Sequence, residues 1–98
     1  MGAIRFEWDP RKDAENQRKH GISFQEAETV FADDNGLLRA DPDHSDDEDR
    51  FVLLGLSSRI RLLIVCHTYR QSDQIIRIFS SRPANKSERK QYTDRLLK

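Results

Sequence analysis

The chain has 98 residues, of which 36% are hydrophobic and 35% are charged, so it has enough apolar material for one small domain and no second core. Its single cysteine, Cys66, excludes an internal disulfide and lies in an apolar run, which favours a packing role and fits a reducing compartment. No segment approaches the roughly 20 apolar residues of a membrane span, and the N-terminus lacks the apolar stretch of a signal peptide, so we expect an unexported, cytoplasmic protein.

The formal net charge is zero, but the charges are unevenly distributed. Residues 33–50 carry two Lys/Arg and eight Asp/Glu, whereas residues 51–98 carry ten Lys/Arg and three Asp/Glu. Segregation of this kind indicates an anionic partner for the basic half and a cationic partner for the acidic segment. The alternative is that Asp41–Asp49 neutralises the basic half within the same molecule.

A short strand and a polar helix open the chain. Residues 4–8 alternate apolar and polar side chains, which predicts a strand with one buried face. Asp9 and Pro10 predict a helix start, with Asp9 as the N-cap and Pro10 at the first helical position. The helix runs to about His20, before Gly21 as a left-handed C-cap. Its C-terminal cations suit the helix dipole, but so polar a helix can also present side chains for function.

A second, short helix is predicted from Ser23 to about Phe31. Ser23 and Glu26 form a capping-box pattern, in which Ser23 accepts a hydrogen bond from the helix start and Glu26 reaches back to the cap. Apolar residues at helical spacing indicate the buried face of this helix. They are Phe24, Ala27, Val30 and Phe31.

The acidic segment, Asp41–Asp49, follows a strand predicted at residues 37–40. Its carboxylates and His44 are possible ligands for a divalent ion, but their spacing matches neither an EF-hand nor a zinc motif. The composition therefore favours a solvated loop. The functional alternative is a docking surface for a basic partner.

Three further strands are predicted at residues 50–57, at residues 62–70 and from Ile75 onward. Their connections are short, which predicts an antiparallel meander, because a parallel crossover needs a dozen residues or more. The last strand ends in the corner Ser80–Pro83, and a capping box at Asn85–Glu88 then opens a basic helix to about Leu97. Hydroxyls, a guanidinium and a helix start at one corner suit an anionic ligand.

The four-residue loop before Ile75 predicts the register of the last two strands, with Arg70 opposite Ile75. Unbroken alternation then predicts the two faces of the sheet, a cationic, hydroxyl-bearing face and a structural face that contains His67. The first face is expected to carry Arg70, Thr68, Arg77 and Ser81, and the second Tyr69, His67, Ile76, Ile78 and Ser80, with Thr68 opposite Arg77 and Cys66 opposite Phe79.

Several sequence blocks occur in order between about residues 4 and 93. They are Phe6-Glu7-Trp8-Asp9-Pro10; Asn16 with Lys19-His20-Gly21-Ile22-Ser23-Phe24-Gln25-Glu26-Ala27; Asp41 with His44-Ser45 and Arg50; and Arg77-Ile78 with Ser80-Ser81-Arg82-Pro83-Ala84, Glu88-Arg89 and Tyr92. In these blocks the chain resembles the BrnT family, the toxins of bacterial type II toxin–antitoxin pairs. Ser81 departs from the family, in which alanine is common at this place.

The resemblance implies a fold and a function. The implied fold is a single α+β domain over residues 1–98, similar to the RelE-like toxins: a curved, mainly antiparallel sheet of about five strands, with two N-terminal helices and one C-terminal helix packed on one face. The implied activity is that of an endoribonuclease that inhibits translation. Its implied partner is a BrnA-like antitoxin with a ribbon-helix-helix domain, through which alone the pair contacts operator DNA and represses its operon.

Metal-independent RNA cleavage needs a base for the ribose 2′-OH, stabilisation of the phosphorane charge and an acid for the leaving 5′-oxygen. We assign His20 as the base or the acid, and Lys19 and Arg82 as phosphate-binding groups. Arg70 is assigned as the clamp on the transition state, and Ser80 as a contact to phosphate or sugar. No metal or other cofactor is expected.

Two further sets of residues are expected to bind RNA and the antitoxin. The RNA-binding set is Arg77, Ser81, Lys86, Arg89 and Tyr92, where the alternative for Tyr92 is a place at the edge of the core with a satisfied hydroxyl. The antitoxin-binding set is Asp46, Asp47 and Asp49, which would dock a basic region of the partner.

The sequence is also compatible with two other functions. The first is a non-catalytic module that binds RNA or only the antitoxin. The second is metal-dependent hydrolysis through Asp41, Asp43 and His44, which a chelator would abolish. Cleavage that survives chelation distinguishes the endoribonuclease from both.

Overall fold

A computed structural model gives a five-stranded sheet with three helices, and it describes residues 4–41 and 49–97. The sheet order is β1-β5-β4-β3-β2. The predicted α+β class, the five strands and the three helices are confirmed. In chain order the elements are β1 (Arg5–Glu7), α1 (Pro10–His20), α2 (Phe24–Thr29) with a 3-10 turn (Val30–Ala32), β2 (Leu37–Ala40), β3 (Phe51–Leu56), β4 (Leu62–Arg70), β5 (Ile75–Pro83) and α3 (Lys86–Leu96).

The strands β2 to β5 form the predicted antiparallel meander, and β1 adds a parallel edge. β1 pairs with the first part of β5 only, from Arg5 opposite Ile75 to Glu7 opposite Arg77. The strand stops there because Asp9 and Pro10 begin α1, and proline has no N–H to continue the ladder. The second part of β5 therefore has no strand on that side and is bordered by α1 instead.

The caps of α1 are those predicted from the sequence. The Asp9 carboxylate accepts a hydrogen bond from the Arg11 N–H at 2.8 Å. At the other end Gly21 adopts φ +68°, and its N–H donates to the Gln17 carbonyl at 2.9 Å. A residue with a Cβ is strained in this left-handed conformation, so glycine is suited to end the helix directly after His20.

The capping box predicted for α2 forms only in part. Ser23 accepts the hydrogen bond from the Glu26 N–H at 3.0 Å, as predicted. The Glu26 side chain does not reach back to the cap, because it is buried and pairs with Arg61 and Ser57. The hydrogen bond from Arg61 lowers the pKa of Glu26, which keeps Glu26 charged. The resulting ion pair connects α2 to the turn between β3 and β4.

The helices pack on both faces of the sheet, so the expectation that all pack on one face is wrong. Alternate residues of a strand point to opposite faces. α2 and the 3-10 turn cover one face, where Leu63 and Val65 lie, and Tyr92 of α3 packs on the other face against Leu62 and Ile64. The remaining part of that second face is not covered by either cluster and is called the open face here.

A β-bulge between β4 and β5 changes the predicted faces. Arg70 pairs with Ile75 and Thr68 with Arg77, as predicted, but Cys66 pairs with Ser80 and not with Phe79. The bulge places one additional residue, Phe79, in β5 opposite the Cys66–His67 step. The two serines therefore exchange faces relative to the prediction: Ser80 lies on the open face, and Ser81 is buried.

No helix within the described ranges is both long enough and apolar enough to cross a membrane.

Candidate active site

α1 is attached to the unpaired edge of β5 by Asn16. The Asn16 amide nitrogen donates to the carbonyls of Ser81 and Ile22, each at 2.8 Å, and its oxygen accepts from the Ser81 N–H at 3.1 Å. Both backbone groups of Ser81 on this edge are thus satisfied by one side chain, as a neighbouring strand would satisfy them. Residues one helical turn on either side of Asn16 face the same way, and these include Lys12 and His20.

A cavity of about 460 Å³ opens where α1 meets the open face beside β5. We call it the α1–β5 pocket. Three cationic side chains, an imidazole and small polar groups surround an apolar floor. The lining residues are Lys12, His20, Asp41, Arg50, Val52, Ile64, Cys66, Phe79, Ser80, Ser81 and Arg82. Its volume lies in the range of small-ligand sites, and its cations suit an anionic ligand.

Arg82 enters the pocket with its guanidinium oriented by Glu88. Two hydrogen bonds, at 2.8 and 2.9 Å, join the terminal nitrogens of Arg82 to the two carboxylate oxygens of Glu88. The bidentate pair lowers the pKa of Glu88 and raises that of Arg82, so both groups are charged. Glu88 is itself fixed, because it completes the predicted capping box of α3 with Asn85.

The proton-transfer and phosphate-binding candidates on α1 lie at this pocket. His20 is exposed and lines it together with Ser80. Lys19 lies in an adjoining hollow that His20 and Ser80 also line, and its Nζ is 3.3 Å from a Glu15 carboxylate oxygen. The structure therefore brings together four of the five predicted catalytic residues: Lys19, His20, Ser80 and Arg82.

Arg70, the fifth, lies at the far end of the sheet, so its assignment as a clamp in the same pocket is contradicted by its position. Arg82 pairs with Ile64, and Arg70 is six residues further along β4, which is about 20 Å at the strand rise. Glu7 accepts a hydrogen bond from Arg77 at 2.8 Å and lies 3.9 Å from Arg70. Arg77 thus belongs to this second ionic group and not to the pocket lining.

Two of the predicted RNA-binding residues are buried. Ser81 is 1% exposed, because the bulge turns it inward. Tyr92 is 6% exposed, and its hydroxyl donates to an Asp33 carboxylate oxygen at 2.6 Å; burial raises its pKa to about 12. Tyr92 is therefore a core residue with a satisfied hydroxyl, and its assignment to RNA is wrong. Lys86 and Arg89 are exposed on α3.

Cys66 lies on the floor of the pocket and is half-buried. Burial and the neighbouring Asp41 carboxylate raise the pKa of the thiol. A thiol held protonated is a poor nucleophile, which agrees with the packing role predicted for it.

His67 is fully buried and contacts the Val65 carbonyl and the Tyr69 hydroxyl, as expected of a structural residue.

The acidic segment is described only at its ends. Asp41 lines the α1–β5 pocket, and Asp49 is exposed. Asp43, His44, Asp46 and Asp47 lie outside the described residues. Within residues 4–41 and 49–97 there is no group of three or more His, Cys, Asp or Glu side chains arranged to hold a metal ion.

Sequence reasoning gave no role in the candidate site to Lys12, Arg50, Phe79 or Glu88, although it placed Glu88 in the capping box of α3. Lys12 was detectable, since it is four residues before Asn16 and eight before His20 on one helix face. Arg50 and Phe79 depend on a pocket that forms from four separate elements, α1, β3, β4 and β5. No local pattern places these elements side by side.

Comparison with known proteins assigns the family. The family model for "Ribonuclease toxin, BrnT, of type II toxin-antitoxin system" matches residues 8–88. The chain therefore belongs to the BrnT family of ribonuclease toxins of type II toxin–antitoxin systems, as the resemblance implied.

A solved structure agrees in fold. The chain is similar to the 1.1 Å crystal structure of the Brucella abortus ribonuclease toxin BrnT, with a TM-score of 0.60 and 20% sequence identity over 88% of this chain and 100% of that chain. A comparison with curated protein sequences gave no match.

Proposed function

We propose that this toxin is a metal-independent endoribonuclease whose active site is the α1–β5 pocket. The observation that carries the proposal is the convergence of His20, Ser80 and Arg82, from two separate elements, on one cavity that also contains the cations Lys12 and Arg50. This set offers a proton-transfer group, a hydroxyl and several phosphate-binding donors. RNA cleavage by the ribose 2′-OH requires these kinds of group.

The reaction proceeds by attack of a ribose 2′-oxygen on the adjacent phosphorus. The new O–P bond forms as the bond from phosphorus to the 5′-oxygen breaks, leaving a 2′,3′-cyclic phosphate and a 5′-hydroxyl. A base takes the proton of the 2′-OH, and an acid supplies a proton to the leaving oxygen. His20 performs one of these transfers, since an imidazole can both accept and donate a proton.

Charge stabilisation is assigned to the guanidinium and ammonium groups of the pocket. Negative charge grows on the phosphoryl oxygens in the transition state, and fixed donors there lower the barrier without reorganisation. Arg82 is held in place by Glu88 and so is preorganised for this role. Lys12 and Arg50 line the same cavity and add positive charge, and Lys19 in the adjoining hollow binds a flanking phosphate.

We assign the protein's biological role from its family. RNA cleavage in the cytoplasm would inhibit translation, and a BrnA-like ribbon-helix-helix antitoxin would neutralise the toxin. Operator DNA would be bound through that partner. Asp46, Asp47 and Asp49 are proposed to attract a basic region of the antitoxin, for which the excess of acidic residues at positions 33–50 provides the charge.

The test is incubation of the purified protein with a long RNA in EDTA. We expect cleavage to continue, with 2′,3′-cyclic phosphate and 5′-hydroxyl ends. His20→Ala and Arg82→Ala should each lower the rate about 100-fold or more. The control is Lys90→Ala, which removes an exposed cation of α3 that pairs with Asp94.

Two results would contradict this function. Wild-type cleavage that stops in EDTA would indicate a metal-dependent hydrolase. Intact RNA together with a salt-sensitive mobility shift would indicate a module that binds RNA without cleaving it. The folding of each variant is checked by its thermal unfolding.

A further inference from the structure

Phe79 is an aromatic residue that neither hydrophobic cluster of the described chain contains. Its neighbour Ile78 is 1% exposed in the core under α2, whereas Phe79 is only half-buried and lines the α1–β5 pocket. The β-bulge at Cys66–His67 is what places it there. A bulge interrupts the hydrogen-bonded ladder, and bulges commonly redirect a side chain beside an active site.

Two cations lie against the Phe79 ring. The guanidinium carbon of Arg50 is 4.1 Å from the ring centroid, and the Lys12 Nζ is 5.4 Å from it. These distances lie within the range of a cation–π interaction. The Arg50 guanidinium lies over one face of the ring. A nucleobase can stack on the outer plane of this guanidinium or on the opposite face of the ring, while the other cations hold the neighbouring phosphates.

The other aromatic rings of the described chain behave differently. Phe31 and Tyr69 pack against the cluster under α2 and against the buried His67. Phe51 lies outside both clusters, but its ring contacts the rings of His67 and Tyr69. Phe79 has no such ring–ring contact among the described residues. The cations over its ring come from α1, which contains Lys12, and from Arg50, the residue directly before β3. Packing of the core therefore does not explain it.

Phe79 also stands between two hollows. It lines the α1–β5 pocket, which contains Arg82, and the adjoining hollow of about 240 Å³, which contains Lys19. Ser80 and His20 line both. A strand of RNA that places one phosphate at Arg82 and the next at Lys19 would carry a base past the Phe79 ring.

We propose that Phe79, together with Arg50, forms a nucleobase-stacking subsite for the nucleotide adjacent to the phosphate that is cleaved. The inference rests on the proposed function of the pocket and adds to it a contact with the base. Stacking uses the face of a base and not its hydrogen-bonding edge. The subsite therefore improves affinity and alignment for all four nucleotides.

The experiment compares two single-stranded oligomers of equal length that carry the same phosphates. One is 2′-O-methyl oligoadenylate, which lacks the attacking hydroxyl and cannot be cleaved by this route, and the other is the matching abasic oligomer. We expect the wild-type protein to bind the oligoadenylate roughly tenfold more tightly than the abasic oligomer. Phe79→Leu should remove most of this preference, and Phe79→Tyr should retain it.

The abasic oligomer is the internal control, because it reports binding of the phosphates alone. Phe79→Leu should leave its affinity within about twofold of wild type, since every cation of the pocket remains. Arg50→Gln is a second variant that should reduce both the affinity for the abasic oligomer and the preference for bases.

The failures of the subsite and of the proposed function are distinguishable. Equal wild-type affinity for the two oligomers would overturn the subsite, and so would a preference that survives in Phe79→Leu; RNA cleavage in EDTA would still support the function. Failure of the wild-type protein to bind either oligomer would overturn the subsite, and together with intact RNA in the EDTA assay it would overturn both proposals.

Discussion

Glu88 has two opposite effects on the proposed binding of phosphate. It orients the Arg82 guanidinium, and its own negative charge repels the phosphate. Three of the five N–H donors of Arg82 are used by Glu88 and the Pro83 carbonyl in the hydrogen bonds of the described residues. The other two donors, on the remaining side of the guanidinium, suit a phosphate. A carboxylate this close to the bound phosphate weakens RNA binding, but it also fixes the plane of the guanidinium.

Replacement of Glu88 by glutamine separates these two effects. Glu88→Gln removes the negative charge and keeps an acceptor for Arg82 and for the cap of α3. We expect RNA to bind a few-fold more tightly, because repulsion of the phosphate is lost, and bound RNA to be cleaved about tenfold more slowly, because Arg82 is less well oriented. Single-turnover cleavage at saturating protein, together with a titration of binding, measures both values.

The control for Glu88→Gln is Asp94→Asn. It removes one negative charge from the same helix, where Asp94 pairs with the exposed Lys90. Its rate and affinity should stay close to those of wild type. An unchanged rate for bound RNA in Glu88→Gln would mean that Glu88 does not position Arg82.

At the scale of elements, α1 replaces a strand along the edge of β5. A polar helix with a single buried residue, Asn16, gains little from the hydrophobic effect. Its attachment comes from the Asn16 amide, which satisfies both backbone groups of Ser81 and the carbonyl of Ile22. This explains why a helix so poor in apolar residues is ordered, and why His20 in its last turn lies beside the strand.

The sequence predicts the elements well because local signals specify them. Asp9 and Gly21 delimit α1, and Asn85 with Glu88 begins α3, through hydrogen bonds within a few residues. The faces of β5 were predicted less well, because no short sequence pattern marks a β-bulge. The bulge could nevertheless have been inferred from Ile78 and Arg82, which are four residues apart. Unbroken alternation would direct both side chains to the same face and so place a guanidinium in the core.

The acidic segment between β2 and β3 belongs to the same scale, and its proposed role concerns association with the antitoxin. We expect the triple variant Asp46→Asn, Asp47→Asn and Asp49→Asn to bind the antitoxin more slowly at low salt, because steering by charge is reduced, while RNA cleavage remains. Stopped-flow mixing with the antitoxin gives the association rate.

A matched variant controls for the change in total charge. Glu28→Gln, Asp73→Asn and Asp94→Asn remove an equal number of negative charges outside residues 33–50. This variant should associate nearly as fast as wild type. If both triple variants slow association equally, net charge and not the acidic segment is responsible; an unchanged rate in the Asp46, Asp47 and Asp49 variant would exclude any role for the segment.

Considered as a whole, the molecule has two groups of basic residues on its open face. In the first group, Lys12, Arg50 and Arg82 surround the α1–β5 pocket with His20 and Ser80. In the second group, Arg70 and Arg77 share the Glu7 carboxylate. The sequence indicated that arginines were important, but only the register and the bulge decide which of them lie together.

The central claim is that the first of these groups is the active site. The most direct measurement is a comparison of RNA cleavage in EDTA by Arg82→Ala and Arg70→Ala, each confirmed to unfold near the wild-type temperature. We predict that Arg82→Ala is slower by about 100-fold or more, and that Arg70→Ala stays within about threefold of wild type. Arg70 lies outside the pocket, about 13 Å along β4 from Cys66 on the pocket floor and about 20 Å from the residue that pairs with Arg82, and solvent screens its charge. Equal losses in the two variants, or a larger loss in Arg70→Ala, would contradict this account.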